Sequence, residues 1–202
     1  LDEEALRPYF EAGRVLDGLR AVARKLYGLE IVPRPGTSTW HPDVVPFSVR
    51  RAGETHERGI FHVDLFPRED KRGNAWMSGL RVGTVRPDGT REPHVVVFAA
   101  NVTPKDDAGR ALLSHDEVTT LFHEFGHSLH HLLTEVEVRS LAGTNVAWDF
   151  VELPSQIHEN WAWEREALDL FARHVDTGEV LPDEMLSRMR KARTFRGATQ
   201  QM

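Results

Sequence analysis

Cysteine is absent from this sequence of 202 residues, and the absence limits the chemistry that the chain can perform. No disulfide can stabilise the fold, and no thiolate can bind a metal ion. Any metal site must therefore use histidine, aspartate or glutamate side chains. A chain without cysteine also fits a reducing compartment, and we expect a cytoplasmic protein.

Long apolar runs and an excess of basic residues are lacking as well. No stretch of about 18 apolar residues occurs, so we expect no membrane-spanning helix and no membrane partner. The 25 lysines and arginines are outnumbered by 31 aspartates and glutamates, which gives a formal net charge of -6. Because basic residues must neutralise phosphates in a nucleic acid complex, we expect no nucleic acid partner. The sequence does not indicate an oligomeric state.

The length and the 40% hydrophobic content indicate one domain with a hydrophobic core. The chain begins at Leu1 without a methionine and reaches Met202 without a helix stop signal. We therefore expect residues 1–202 to be an excerpt of a longer protein.

Hydrophobic periodicity divides the chain into a helical start, a strand-rich middle and a helical end. Apolar residues that recur every three or four positions predict a helix over 1–28. The block 29–112 is predicted to hold loops and a small sheet with strands near 59–66, 75–82 and 94–100. Its proline-rich stretch 31–49 is predicted to be loop with short extended pieces. Further helices are predicted over 113–135, 148–174 and 182–192. The predicted fold class is α+β, predominantly helical, and the basic cluster of Arg68, Lys71 and Arg72 is predicted to be a solvated turn.

The sequence His123-Glu124-Phe125-Gly126-His127 carries the chemistry. Ser114 and Glu117 match a capping box at the start of its helix, which places the two histidines on one helical face, about 6 Å apart along the axis. Both imidazoles could then bind one zinc ion, and Glu124 could accept a proton from a water at the metal. The alternative is a solvated polar helix face with incidental histidines.

A third ligand would define the type of site. Metzincins require glycine at position 130 and histidine at position 133, and this chain has His130 and Leu133, which excludes that class. Glu152, 25 positions after His127 (152 minus 127), lies at the start of the next predicted helix and could complete a His2Glu site.

Two further residues are candidates for supporting roles at this site. Glu159 shares a predicted helical face with Glu152 and could hydrogen-bond a ligand histidine, and the alternative is an ordinary surface glutamate. His130 could lie near the metal as a supporting group, or be a polar residue at the rim of the site.

Seven segments of the sequence match one family of enzymes. They are Trp40–Val44, Asp64–Arg68, Lys71–Met77, His115–Val118, His123–His130, Asp149–Gln156 and Glu159–Trp161. They resemble the thimet oligopeptidase and oligopeptidase A family of zinc metallopeptidases, and oligopeptidase A most. The resemblance covers nearly the whole chain.

The resemblance implies one zinc ion per chain, held by His123, His127 and Glu152, with Glu124 as general base and Glu159 in support. It implies a zincin-like catalytic core with a small sheet beside the active-site helix. The implied activity is hydrolysis of internal bonds in short unstructured peptides. The strand around 76–81 could hold extended substrate along the cleft, or be a plain structural strand.

The chain departs from the family in lacking its downstream tyrosine-rich segment, which the resemblance links to substrate binding and oxyanion stabilisation. The only tyrosines are Tyr9 and Tyr27. We therefore expect zinc binding with weak or no peptidase activity from this segment alone. The alternatives are a peptidyl-dipeptidase of the same family, a zinc-binding but catalytically incomplete fragment, and a structural domain without metal. Cobalt or manganese could also occupy a His2Glu site.

Overall fold

A computed structural model describes residues 2–199 and the side chains up to residue 194. The helices are α1 (Ala12–Tyr27), α2 (His115–Leu132), α3 (Leu153–Glu159), α4 (Arg165–Leu168) and α5 (Asp183–Thr199), with 3-10 turns at Glu4–Tyr9, Arg139–Leu141 and Asn160–Ala162. The strands are β1 (Leu29–Pro33), β2 (Val45–Arg51), β3 (Gly59–Asp64), β4 (Trp76–Arg81) and β5 (His94–Ala99). The α+β class is therefore confirmed. None of the described helices has the length and apolar character that crossing a membrane requires.

The five strands form one mixed sheet in the order β1-β2-β3-β5-β4. Strands β3 and β5 run parallel, with Phe61 opposite Val96, and the other neighbours are antiparallel. Helix α2 packs across β3, β5 and β4, and α1 packs against β1. The predicted sheet beside the active-site helix is thus present, and β4 forms its edge next to that helix.

The core lies between the sheet and the helices, and aromatic rings fill its centre. Phe61 and Phe98 stack with ring centroids 5.9 Å apart, and Phe125 of α2 lies 5.8 Å from Phe61. All three side chains are fully buried. Burial of Phe125 turns the opposite face of α2 away from the core, which leaves that face available for polar side chains.

Two strands occupy parts of 31–49, where a loop with short extended pieces was predicted. Pro33 is the last residue of β1 and Pro46 the second residue of β2, near strand ends where proline is tolerated. Pro35 and Pro42 lie in turns between the two strands. The predicted strands 59–66, 75–82 and 94–100 are confirmed as β3, β4 and β5.

The predicted helices 1–28 and 148–174 were wrong as continuous elements. The first is interrupted at Phe10 and Glu11, whose backbone pairs with residues 111–113 before Glu11 caps α1. The second is divided into α3, a 3-10 turn and α4, with turn structure before Leu153. The helix predicted over 182–192 extends to Thr199, and that predicted over 113–135 is α2, with the predicted capping box.

The prediction of a solvated turn at Arg68 and Lys71 was also wrong, because both side chains pair with buried Asp64. Arg68 donates to the two carboxylate oxygens of Asp64 over 2.8 Å each, and Lys71, whose side chain is 2% exposed, donates over 2.9 Å. Trp40 Nε1–H adds a hydrogen bond of 3.0 Å. Burial opposes ionisation of Asp64, but these donors outweigh it and hold its pKa far below the usual range. The cluster fixes the loop between β3 and β4.

Replacing this buried carboxylate should destabilise the fold. In Asp64→Asn the buried ammonium of Lys71 loses its counterion, and we expect a loss of about 3–5 kcal/mol in the free energy of unfolding. Urea denaturation followed by far-ultraviolet circular dichroism measures the change. Asp107→Asn, at an exposed turn, is the matched control and should change stability by less than about 0.5 kcal/mol. Equal denaturation midpoints for the two variants would contradict this account of the cluster.

Candidate metal centre

Helix α2 presents His123 and His127 one turn apart on the face opposite Phe125. Their ring centroids are 4.9 Å apart and the rings are nearly perpendicular. The His123 side chain is 25% exposed and the His127 side chain 12% exposed, so both rings are partly open to solvent. Spacing of four residues on a regular helix therefore places both imidazoles at one small region of surface.

Glu152 reaches the same region from the turn that precedes α3. One of its carboxylate oxygens, Oε2, lies 3.1 Å from Nε2 of His123 and 3.1 Å from Nε2 of His127. The ligand atoms of the three residues all lie within 4.8 Å of one another. Tetrahedral zinc with ligand distances of about 2.1 Å separates its ligand atoms by about 3.4 Å. The spacing of these atoms therefore suits a single ion of that size.

The hydrogen bond between His123 and Glu159 determines which nitrogen of His123 is free. Nδ1–H of His123 donates to Oε1 of Glu159 over 2.7 Å, so the neutral ring has its lone pair on Nε2. That lone pair faces a carboxylate oxygen of Glu152, which is also an acceptor. Two acceptors at 3.1 Å repel each other unless a cation or a proton lies between them. The donor set therefore fits a metal ion.

The carboxylate of Glu152 is itself held in place by Ser155. The Ser155 hydroxyl, which is fully buried, donates to the carbonyl oxygen of Glu152 over 2.7 Å and to its Oε2 over 2.9 Å. Burial opposes ionisation of Glu152, but Ser155 and the two histidines outweigh it and lower its pKa. Burial lowers the pKa of His127. Both shifts favour the forms that bind metals, an ionised carboxylate and a neutral imidazole.

Close packing of α3 on α2 brings Glu152 to the histidines, and Gly126 permits that packing. A Cβ atom at Gly126 would lie 2.6 Å from Cα of Ser155 and 2.8 Å from the carbonyl oxygen of Pro154. Both are backbone atoms of α3, so no side-chain rotation could relieve the contact. The glycine within the motif thus sets the distance between the helices.

Two histidines outside the motif tie the α3 region to the rest of the fold. Nδ1–H of His158 donates to the carbonyl oxygen of Pro154 over 2.7 Å, and its Nε2 accepts from the Tyr27 hydroxyl over 3.1 Å. Beyond the C-terminal end of α3, the carbonyl oxygen of Ala162 accepts a hydrogen bond of 2.8 Å from Nε2–H of His115, the first residue of α2. The segment that carries Glu152 and Glu159 is therefore fixed to both α1 and α2.

Glu124 follows the first histidine and is 9% exposed. Burial raises the pKa of its carboxyl group, and the nearby Glu152 carboxylate raises it further. His123 and the backbone N–H of Met77 on β4 act in the opposite direction. A carboxylate with a raised pKa close to a candidate metal site is suited to accept a proton.

The structure thus brings together His123, His127, Glu152 and Glu159, with Glu124 beside them. His130 does not share a described hydrogen bond with these residues. Its Nδ1 is buried without a partner, and its ring lies 6.3 Å from Phe150. A supporting role for His130 remains a prediction.

Sequence reasoning did not identify Ser155, Tyr27 or His158 as supports of the site. Ser155 lies three residues after Glu152, a spacing at which a serine hydroxyl can hydrogen-bond back to the start of a helix. The sequence therefore contained a local pattern from which its role could have been predicted. The contact between Tyr27 and His158 joins positions 131 residues apart, and no local pattern predicts it.

Comparison with known proteins places the whole chain in one group. Residues 1–202 match the model of "Peptidase family M3". Oligopeptidase A of Haemophilus influenzae is 44% identical over 199 residues, which cover 98% of this chain and 29% of that protein. Dipeptidyl carboxypeptidase of Escherichia coli is 39% identical over 202 residues, covering 96% of this chain and 28% of that protein. "Probable cytosolic oligopeptidase A" of Arabidopsis thaliana is 38% identical over 206 residues, covering 98% and 29%. The chain therefore spans less than a third of the length of these relatives.

Enlarging Gly126 should weaken metal binding. In Gly126→Ala the added methyl group displaces the backbone of α3, and Glu152 moves away from the histidines. We expect an affinity for zinc reduced by about 10- to 100-fold, as for other losses of support around a metal site. Competition with a chromogenic chelator measures the affinity.

Gly73→Ala is the matched control, because no atom lies within 4 Å of a Cβ atom placed there. It should bind zinc as the unchanged chain does. An equal affinity in Gly126→Ala would show that the helix contact does not position Glu152.

Proposed function

Because the chain belongs to peptidase family M3, we propose that it is the catalytic core of a zinc-dependent oligopeptidase that cleaves internal bonds of short unstructured peptides. Relatives named oligopeptidase A, at up to 44% identity over nearly the whole chain, support this substrate class. We also propose a cytoplasmic location, which the name of the Arabidopsis thaliana relative supports.

One observation carries the zinc-dependent part of the proposal. Nε2 of His123 and Oε2 of Glu152 face each other over 3.1 Å, while the other nitrogen of His123 is occupied by Glu159. Two imidazole nitrogens and one carboxylate oxygen would supply three protein ligands to an ion, which is the donor set of catalytic and not of structural zinc sites. We therefore propose His123, His127 and Glu152 as ligands of one zinc ion.

The proposed chemistry divides the work between the ion and Glu124. When bound, zinc supplies Lewis acidity, which polarises the scissile carbonyl group and lowers the pKa of an attacking water. Glu124 accepts the proton from that water and then donates it to the leaving amine. The buried position of Glu124 suits both steps, because its raised pKa brings the acid and base forms closer in energy. Glu159 keeps the His123 ring oriented through Nδ1.

Strand β4 is proposed to align the substrate. It is an edge strand of the sheet, paired only with β5 among the described strands, and it lies beside α2. An extended peptide can pair with such an edge through its main chain, which binds many sequences with little preference. The contact of the Met77 backbone N–H with Glu124, the proposed general base, supports this role for β4.

A second candidate function is release of dipeptides from peptide C-termini, which the 39% identical dipeptidyl carboxypeptidase favours. The two activities differ in whether the substrate needs a free C-terminal carboxylate. Analysis of products from one peptide with a free and with an amidated C-terminus separates them. The segment 1–202 alone could also bind zinc without catalysis, since it spans less than a third of its relatives.

Removing the general base should abolish hydrolysis and keep the metal. In the full-length natural protein that contains residues 1–202, Glu124→Gln should lower kcat by about 100- to 10,000-fold. Cleavage of a quenched fluorescent peptide measures the rate, and elemental mass spectrometry measures the zinc content, which should not change. Glu137→Gln, at an exposed position after α2, is the control and should keep full activity. Full activity in Glu124→Gln would exclude the proposed mechanism.

A further inference from the structure

His131, one turn beyond His127 on α2, is 5% exposed and lies between two glycines on different parts of the fold. A Cβ atom at Gly79 of β4 would lie 2.3 Å from Cε1 of His131. A Cβ atom at Gly143, in the segment that leads to Glu152, would lie 2.8 Å from Nδ1 of His131. The ring therefore packs directly on both backbones, and each glycine leaves the space that it fills.

The contact with β4 coincides with an irregularity in the strand. Gly79 pairs with Val96 and Arg81 pairs with Val95, so Leu80 is an additional residue and forms a bulge. Nε2–H of His131 donates to the carbonyl oxygen of Arg81 over 3.2 Å. A bulge bends the strand locally, and the ring of His131 contacts the strand on both sides of Leu80, at Gly79 and at the carbonyl oxygen of Arg81.

A second buried histidine connects the end of β4 to the end of α2. His94 is 1% exposed, and its ring centroid lies 6.0 Å from that of His131. The backbone N–H of Gly83 donates to Nδ1 of His94 over 3.1 Å, and Nε2–H of His94 donates to the carbonyl oxygen of Thr134 over 3.0 Å. Burial, with the neighbouring positive groups, lowers the pKa of His94 to about 4. The ring is therefore neutral near pH 7 and keeps this pair of bonds.

We propose that His131 is a positioning residue that sets the distance of β4, and of the segment around Gly143, from the active-site helix. Strand β4 lies beside the candidate metal centre, since it brings Met77 to Glu124, and Gly143 lies in the segment that precedes Glu152 in the chain. One side chain would thereby determine where an extended peptide lies relative to the zinc ligands. This inference rests on the proposed function, because it assigns a role in peptide alignment.

The test compares three variants in the full-length natural protein that contains residues 1–202. His131→Ala removes the ring, Gly79→Ala pushes the strand away from it, and His131→Gln keeps an N–H donor for Arg81. We expect the KM for an unstructured decapeptide to rise about tenfold in the first two, the effect of losing one or two main-chain hydrogen bonds. We expect kcat within about twofold and an unchanged zinc content, because the residues that perform the chemistry stay in place.

The remaining comparisons separate positioning from general destabilisation. His131→Gln should recover most of the binding that His131→Ala loses, and His56→Ala, in an exposed loop, should have the KM of the unchanged protein. Unchanged KM in both His131→Ala and Gly79→Ala would overturn the inference. A loss of zinc with a parallel fall of kcat would also overturn it, because the residue would then act through the metal site.

Amide hydrogen exchange tests the packing without relying on activity. In His131→Ala the amides of 76–81 should exchange faster while those of β1 do not change, and equal protection of β4 would overturn the inference. If His131→Ala does not fold, the same comparison in Gly79→Ala and His131→Gln gives the answer. An unchanged protein that neither binds zinc nor cleaves peptides would instead refute the proposed function, and the exchange data would still decide whether His131 fixes β4.

Discussion

The close approach of α3 to α2 at Gly126 is the constraint on which the candidate centre depends. A carboxylate that follows the motif by 25 positions (152 minus 127) can reach the two imidazoles only if the turn before α3 lies directly against α2. The backbones of Pro154 and Ser155 occupy the space that a side chain at position 126 would need. The same contact brings Ser155 to the Glu152 carboxylate and Glu159 to His123, so ligand and supporting residues are positioned together.

The electrostatic arrangement follows from this packing. The acceptor nitrogen of His123 faces the carboxylate of Glu152, with Nε2 of His127 beside them. Such a pair of acceptors is unfavourable without a cation or a proton between them. Ser155 and the two histidines favour the ionised carboxylate of Glu152, and burial favours the neutral imidazole of His127. These are the states that a metal ion requires. Elsewhere the chain pairs its buried charge, as Asp64 does with Arg68 and Lys71. The candidate metal centre therefore differs from the Asp64 cluster, because no lysine or arginine among the described residues pairs with Glu152.

Much of the site could be predicted from local sequence, and much of its support could not. Helical spacing placed His123 and His127 together, and Glu152 and Glu159 were predicted from their positions in the following segment. The prolines of 31–49 predicted a loop with short extended pieces where the strands β1 and β2 occur, because proline is tolerated near the ends of strands as well as in loops. The continuous helix over 148–174 failed because the residues before Leu153 form turns. Contacts such as Tyr27 with His158, or His131 with Gly79, join distant positions and depend on tertiary packing that periodicity does not encode.

We expect this chain to hold one zinc ion through two histidines of α2 and the carboxylate of Glu152. Elemental mass spectrometry of the purified chain and of Glu152→Ala, side by side, tests it most directly. The account predicts about one zinc per folded chain, with loss of the metal in the variant, since a three-ligand site retains little affinity with two ligands. A folded chain without zinc, or equal zinc in both proteins, would contradict it.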